Sequence, residues 1–276
     1  MNLYHGLINP TSIRLLTLNV SPGTDISCTH SEVDLAESPV YNALSYTWGS
    51  PSAAATAKGV NAERSCPITV NGQTLNITRN LLDFLLIVKK SHPEIANEPI
   101  WIDAVCINQE DTKEKTTQVR LMTKIYSQSA HVYVWLGDAY PEDQVPHALG
   151  LLSFVAKTCL DAEEKEADIW DYATFNIREQ SGDGQPTLRS VNWEDRKLLM
   201  AFLQRTWFSR IWIVQEIVVA RSVSILCGEV MIPWEIIVFG VSYIETCPAG
   251  DFVKVVEEAE DHSEFGCEGT CECFPT

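Results

Sequence analysis

The sequence predicts an α/β fold in which a central parallel sheet is flanked by helices and carries an added β-hairpin and a helical insertion. Three observations predict it. From Pro99 to Leu136, strand-like and helix-like apolar segments alternate at the pitch of a βαβ unit, whose right-handed crossover makes its strands parallel. Asn71-Gly72, set between alternating residues, is the strongest short-range hairpin signal a sequence offers. The stretch from Asp138 to Gln204 exceeds a plain crossover and reads as an insertion able to cover the rim where the strand ends meet.

Ser12–Val20 alternates as a strand, SPGTD turns the chain, and a second extended piece follows near Ile26–Leu35. Val40–Trp48 (VYNALSYTW) is an apolar run with a polar, aromatic tip, stopped by Gly49-Ser50-Pro51. Core strands end this way where their carboxyl edge faces a crevice, so Ser45, Tyr46 and Trp48 are either edge packing and turn formers or groups of such a crevice. Ser52–Arg64, rich in small residues, reads as a surface loop. The ribbon Ile68–Ile77 follows, and Thr78 then caps a helix through Lys90 whose apolar side holds Leu81, Leu82, Leu85, Leu86 and Val88, with Pro93 ending it.

Pro99–Ile107 (PIWIDAVCI) is almost continuously apolar, as strands covered on both faces are. Asp103 interrupts it. A carboxylate buried in mid-strand is costly unless bonded, so Asp103 either bonds loop backbone or lies at the functional edge of the sheet. Asn108-Gln109-Glu110 forms a loop, and Asp111 caps a helix with Glu114 at the capping-box position. That helix runs to about Ser129 and buries Val119, Met122, Ile125 and Tyr126. His131–Leu136 is another buried strand, closed by Gly137-Asp138. Asp143–Leu160 reads as a helix, Asp161–Asp171 as a solvated acidic face, Gln180–Pro186 as a mobile loop, and Asn192 starts a short helix through Leu203. Val223–Cys227 is a strand with Gly228-Glu229 turning after it, Ile232–Ile244 extends the fold, and disorder is expected beyond about Cys247.

Between these lies Arg205–Arg221 (RTWFSRIWIVQEIVVAR), which reads as a single buried helix. Trp207, Ile211, Val214 and Val218 recur on one helical face, widened by Phe208, Trp212 and Val219. Thr206 is placed to cap its start, and Arg221 to complement the negative dipole end. Glu216 is the outlier. A carboxylate among Ile, Val and Ala must be paired, exposed or used; its pairing partners would be Arg210 or Arg221.

The formal charge of −17 argues against a nucleic-acid backbone as partner, which needs a basic footprint. Part of that charge is local, because acids crowd residues 257–272 with no Lys or Arg after Lys254. An anionic small ligand therefore needs arginines of its own. No segment resembles a signal peptide or a membrane span, so a cytoplasmic protein with no membrane partner is expected, its nine cysteines reduced. Cys267, Cys271 and Cys273, with His262 nearby, lack the spacing of a zinc knuckle and read as frayed tail; no metal is expected.

Three blocks, YNALSYTWG, WIDAVCINQEDTKEKTTQVRLMTKIYSQSAHVYVWLGD and RTWFSRIWIVQEIVVAR, together resemble the heterokaryon-incompatibility (HET) domain of fungal cell-death proteins, over roughly Ile13 to Cys227. HET domains in turn resemble the TIR fold, which is flavodoxin-like. Ala43–Gly49 is similar to the first TIR box, a strand ending in Ser-Tyr, and TWFSRIWIVQE to the TIR segment in which a Trp precedes the Glu that acts in NAD-hydrolysing members. The likeness implies Glu216 as the catalytic carboxylate and Trp207 or Trp212 as the indole. It departs from the pattern in two ways: Trp207 stands farther from Glu216 than the TIR tryptophan does, and Trp212 lacks the following cysteine.

The resemblance thus implies a HET domain over residues 1–247, with a TIR-like core at about 40–228, an insertion at about 138–204 and an acidic, Cys-containing tail at 248–276. Two functions follow from it. In one, the domain hydrolyses NAD as a substrate, with no prosthetic group. Glu216 stabilises the ribosyl cation, Trp48 or Trp212 stacks on a ring, Arg210 or Arg79 meets the diphosphate, and Asp103 orients the loop, beside Tyr46 and Gly49 at the strand end. In the other, it is a non-enzymatic death-signalling scaffold that assembles as a homo-oligomer, with Glu216 as a salt-bridge residue. The enzymatic reading requires Glu216 to open into a crevice between the loop rim and the Trp-rich helix.

Overall fold

The computed structural model describes residues 3–19, 25–51, 63–139, 144–161 and 193–246. Most of the acidic Asp161–Asp171 stretch, the Gln180–Pro186 loop and the Cys-containing tail lie outside the described residues. Among those described, nine strands form one sheet: β1 (Ser12–Leu18), β2 (Ser27–Asp34), β3 (Asn42–Tyr46), β4 (Arg64–Val70), β5 (Gln73–Thr78), β6 (Ile100–Trp101), β7 (Val132–Trp135), β8 (Val223–Cys227) and β9 (Val230–Pro233). Their order is β5-β4-β2-β1-β6-β3-β7-β8-β9.

The expected parallel sheet is found as a block at the centre, where β3 runs parallel to β6 and β7, and β7 to β8; outside it, β2 also pairs parallel with β4 over two residues. Around that block, β1 pairs antiparallel with both β2 and β6, and β4–β5 and β8–β9 are antiparallel hairpins. The sheet is therefore mixed rather than flavodoxin-like. Short turns account for the antiparallel pairs β1–β2, β4–β5 and β8–β9, whereas the antiparallel pairing of β1 with β6 joins segments far apart in the chain. The predicted hairpin is present, with both turn residues at positive φ (Asn71 50°, Gly72 76°).

Helix α1 (Arg79–Ser91) starts where the Thr78 side chain accepts from the Leu81 N–H, and Pro93 opens a further turn, α2 (Pro93–Ala96). The expected strand Pro99–Ile107 is not one. It pairs only at Ile100–Trp101, and the chain then winds into α3 (Asp103–Cys106), the Ile102 carbonyl accepting from Val105 N and Cys106 N. An apolar run this short reads alike as a covered strand or a buried helical turn. Asp103 accordingly sits at the start of a turn, not in mid-strand.

Helix α4 (Thr112–Gln128) is capped by Asp111, whose carboxylate accepts from Lys113 N at 2.9 Å and Glu114 N at 3.1 Å. Glu114 does not complete a capping box. It accepts instead from Asn108 N at 2.7 Å and pairs with buried Arg14 of β1, which also donates to the Cys106 carbonyl at 3.1 Å, so a buried ion pair anchors the loop behind Asp103. Met122, Ile125 and Tyr126 are buried as expected; Val119 is exposed, and Gln118 takes the inward position to reach the Ser12 carbonyl. Tyr41 donates to the Ile125 carbonyl and Tyr126 to the Leu44 carbonyl, fastening α4 onto β3. On the other side, Trp135 donates to Asn80 at the start of α1 and packs edge-on against Phe84. Burying aromatic side chains of this size contributes roughly 1.5–3 kcal/mol each.

The remaining helices are α5 (Val145–Asp161), α6 (Trp193–Leu203), α7 (Ile213–Ile217) and α8 (Trp234–Thr246), with α5 packed against α6 and α8. Among the described residues, no helix is long and apolar enough to cross a membrane.

Candidate functional site

Arg205–Arg221 is not one helix. A 3-10 turn (Thr206–Ser209) is followed by extended Arg210 (φ −80°, ψ 130°) and only then by the five-residue α7. The expected buried stripe holds at Trp207 alone: Ile211 is 82% exposed, Val218 76%, and Val214 and Trp212 are also exposed. Thr206 does not cap a helix. Its hydroxyl donates to the Ser50 carbonyl at 2.8 Å and its N–H to the Pro51 carbonyl at 3.0 Å, tying this segment to the loop after β3. Arg221 lies past α7 in an exposed bend, away from any helix end.

The break has a polar cause. It lets the Arg210 guanidinium fold back onto Glu216, with Nη2 to Oε1 at 3.1 Å and Nη1 to Oε2 at 3.3 Å. Glu216, 1% exposed, also accepts from the Ser45 hydroxyl at the end of β3, and Ser45 accepts from the Trp207 indole at 2.8 Å. The carboxylate is thus sealed and ion-paired, which corrects the expectation that it opens into a crevice.

Above this buried layer lies a second, half-exposed one: Trp48, Arg64, Asp103, Gln109 and Arg210. The Trp48 indole donates to Asp103 Oδ2 at 2.8 Å, Ala104 N to Oδ1 at 2.6 Å, and Gln109 to the Asp103 carbonyl at 2.8 Å. The Arg64 guanidinium lies 4.8 Å from the centre of the Trp48 ring, a cation–π contact. Burial, and then the negative charge of Glu216, push the Asp103 carboxyl up to about 6 against the pull of the Trp48 and Ala104 bonds and of Arg210. Burial, with Asp103 next, also holds the Tyr46 phenol well above its usual value.

The loops carrying these groups are stapled together. Buried Arg205 donates to the carbonyls of Leu136 (2.9 Å) and Asp138 (3.2 Å), and between them Gly137 adopts φ 99°. A Cβ on Gly137 would lie 2.3 Å from Pro51, so the close approach of the β7 and β3 loops depends on glycine.

Residues 41–216 match the family model described as heterokaryon incompatibility protein (HET), a span that opens just ahead of β3 and closes on Glu216. The chain belongs to the HET family. It is also 31% identical over 236 residues to heterokaryon incompatibility protein 6, OR allele, of Neurospora crassa, covering 79% of this chain and 33% of that protein. The chain therefore spans about a third of the length of that curated relative. No solved structure matches.

Of the residues singled out in the sequence, the HET domain gathers Tyr46, Trp48, Asp103, Arg210 and Glu216 into one cluster, with Gly49 in the bend beside Trp48. Two stand apart in their contacts. Arg79 is strongly exposed and paired with Asp83 one turn along α1 at 2.8 Å, and Trp212 is 45% exposed. Arg64 and Gln109 were not anticipated. Arg64, expected at the end of a surface loop, begins β4, and its one legible signal is a cation at the mouth of a hairpin. Among the described residues, no three His, Cys, Asp or Glu side chains are grouped to hold a metal.

Proposed function

We propose that this HET domain acts in fungal heterokaryon incompatibility and that it does so by hydrolysing the nicotinamide–ribose bond of NAD, on a TIR-like core formed by the parallel strands β6, β3, β7 and β8. The incompatibility role is supported by family membership and by the printed name of the Neurospora relative. The reading of the chemistry rests chiefly on one observation: two carboxylates, the sealed Glu216 and the half-buried Asp103, lie in adjoining layers with two guanidiniums and an indole near the carboxyl end of β3. Cleavage sends the C1′–N electron pair away with nicotinamide and leaves positive charge on the ribose, which a nearby carboxylate stabilises before water adds.

In this reading Glu216 is the stabilising carboxylate, Trp48 the stacking ring and Arg210 the group that meets the diphosphate. A phosphate that draws Arg210 outward releases Glu216 from its ion pair, so binding and exposure of the acid are coupled. Chromatographic detection of nicotinamide and ADP-ribose is expected for the wild type and not for Glu216→Gln, with thermal unfolding showing that the variant is folded. Equal release by a folded Glu216→Gln variant removes Glu216 from the chemistry.

The alternative, a scaffold that self-associates without catalysis, is favoured by the exposed apolar surface of Ile211, Trp212, Val214 and Val218. On that reading Ile211→Asp abolishes concentration-dependent association in sedimentation and leaves nicotinamide release at zero in both proteins.

A further inference from the structure

Several polar atoms at the end of β3 and on the residues that contact Trp48 and Asp103 are buried and without a hydrogen-bond partner: Tyr46 Oη, Thr47 Oγ1, Arg64 Nη2 and Gln109 Oε1. Buried polar atoms are nearly always satisfied, and a guanidinium N–H left without an acceptor is among the costliest exceptions. Tyr46 makes the case strongest, being 2% exposed, with Asp103 and Arg64 near enough for their charges to act on its phenol. These atoms belong to one region. Tyr46 and Thr47 end β3, Arg64 lies over Trp48, Trp48 bonds Asp103, and Gln109 bonds the Asp103 backbone.

Their chemistry is specific. Arg64 offers a cationic donor, Gln109 Oε1 an acceptor, Asp103 an acceptor when ionised, and the Tyr46 and Thr47 hydroxyls can do either. Arg210 is already engaged by Glu216, so Arg64 is the cation of the outer layer with an unfilled donor. A phosphate satisfies Arg64, and the vicinal hydroxyls of a ribose, which must donate, satisfy Gln109 and Asp103.

The geometry points to a ribosyl-phosphate subsite in which Arg64 takes the phosphate, Asp103 and Gln109 the ribose hydroxyls, and Tyr46 the oxygen between them. It lies in the same cluster as the proposed cleavage and rests on reading that cluster as a nucleotide site, yet binding can be measured without turnover. Trp48, held by Asp103 on one side and by Arg64 on the other, walls the subsite and fixes both charged groups.

The test is isothermal titration of the whole chain with ADP-ribose, and separately with inorganic phosphate, at neutral pH. Wild type is expected to bind ADP-ribose, with Arg64→Gln and Gln109→Leu each weakening it tenfold or more and Arg79→Gln leaving it unchanged; unfolding curves confirm that the variants are folded. Inorganic phosphate is expected to bind at least tenfold more weakly than ADP-ribose and to lose its binding in Arg64→Gln but not in Gln109→Leu. Failure of the wild type to bind ADP-ribose, or undiminished binding by folded Arg64→Gln and Gln109→Leu, overturns the subsite. Binding that behaves as expected without any nicotinamide release keeps the subsite and removes the hydrolysis, whereas release that persists undiminished in both variants removes the subsite alone.

Discussion

The indole of Trp207 donates to the hydroxyl of Ser45 at 2.8 Å across a sequence separation of 162 residues, and that hydroxyl donates in turn to Glu216. One small side chain therefore joins β3 to the segment after α6. Ser45→Ala leaves a buried indole N–H without an acceptor and takes one donor from a buried carboxylate, and is expected to cost about 2–3 kcal/mol. Urea unfolding measures it; a loss below a few tenths of a kcal/mol contradicts the relay.

Arg210 neutralises a carboxylate that is almost wholly buried while its own side chain keeps some solvent. Arg210→Met is expected to destabilise by about 3 kcal/mol, because it strands the charge of Glu216. Adding Glu216→Gln removes that charge and is expected to recover a large part of the loss, and a double-mutant cycle reads the coupling directly. Strict additivity of the two substitutions excludes the pair as a unit.

Asp103 supplies a pH signature. Its folded pKa, about 6, lies above the ordinary carboxylate value, so the native state holds the proton more tightly than the unfolded chain. The stability this confers is complete below about pH 4 and is lost as pH rises through about 6, roughly 1–2 kcal/mol after allowance for partial exposure. Asp103→Asn is expected to flatten the difference between pH 4 and 6 relative to wild type, read from chemical denaturation at each pH. Parallel profiles for the two proteins contradict the raised pKa.

Gly137→Ala tests the stapled loops. The substitution meets Pro51 at 2.3 Å and places a side chain at φ 99°, so a loss of about 2–3 kcal/mol is expected. Gly72→Ala, at positive φ but with nothing within 4 Å, is expected to cost only about 1 kcal/mol in the same thermal-unfolding comparison.

Elements governed by local chemistry were legible in the sequence. Asn71-Gly72 set the hairpin, Thr78 and Asp111 set their helix starts, and the run around Val132–Trp135 read as a covered strand. What escaped was decided by contacts between distant segments. Helical periodicity in Arg205–Arg221 yielded to the folding back of Arg210 onto Glu216, which needs an extended residue and leaves four apolar side chains exposed. Placing β1 between β2 and β6, antiparallel to both, with β2 parallel to β4, is an arrangement that no pattern within a single strand encodes. In the cluster, Tyr46, Trp48, Asp103 and Glu216 stood out as polar residues at apolar strand ends or helix faces. Arg64 did not, because only the approach of β4 to the β3 loop gives it Trp48 as a neighbour.

Ser45 and Glu216 are 171 residues apart, and the buried carboxylate has no place to sit until both are present. During synthesis the strand bearing Ser45 leaves the ribosome long before the acid does, so a nascent chain carries half of this buried pair while the intervening residues are made. A premature stop between Asp103 and Arg205 yields a product that keeps Asp103 and Trp48 but lacks the sealed acid. Closure of the buried Ser45–Glu216–Arg210 group thus waits on synthesis of the segment after α6.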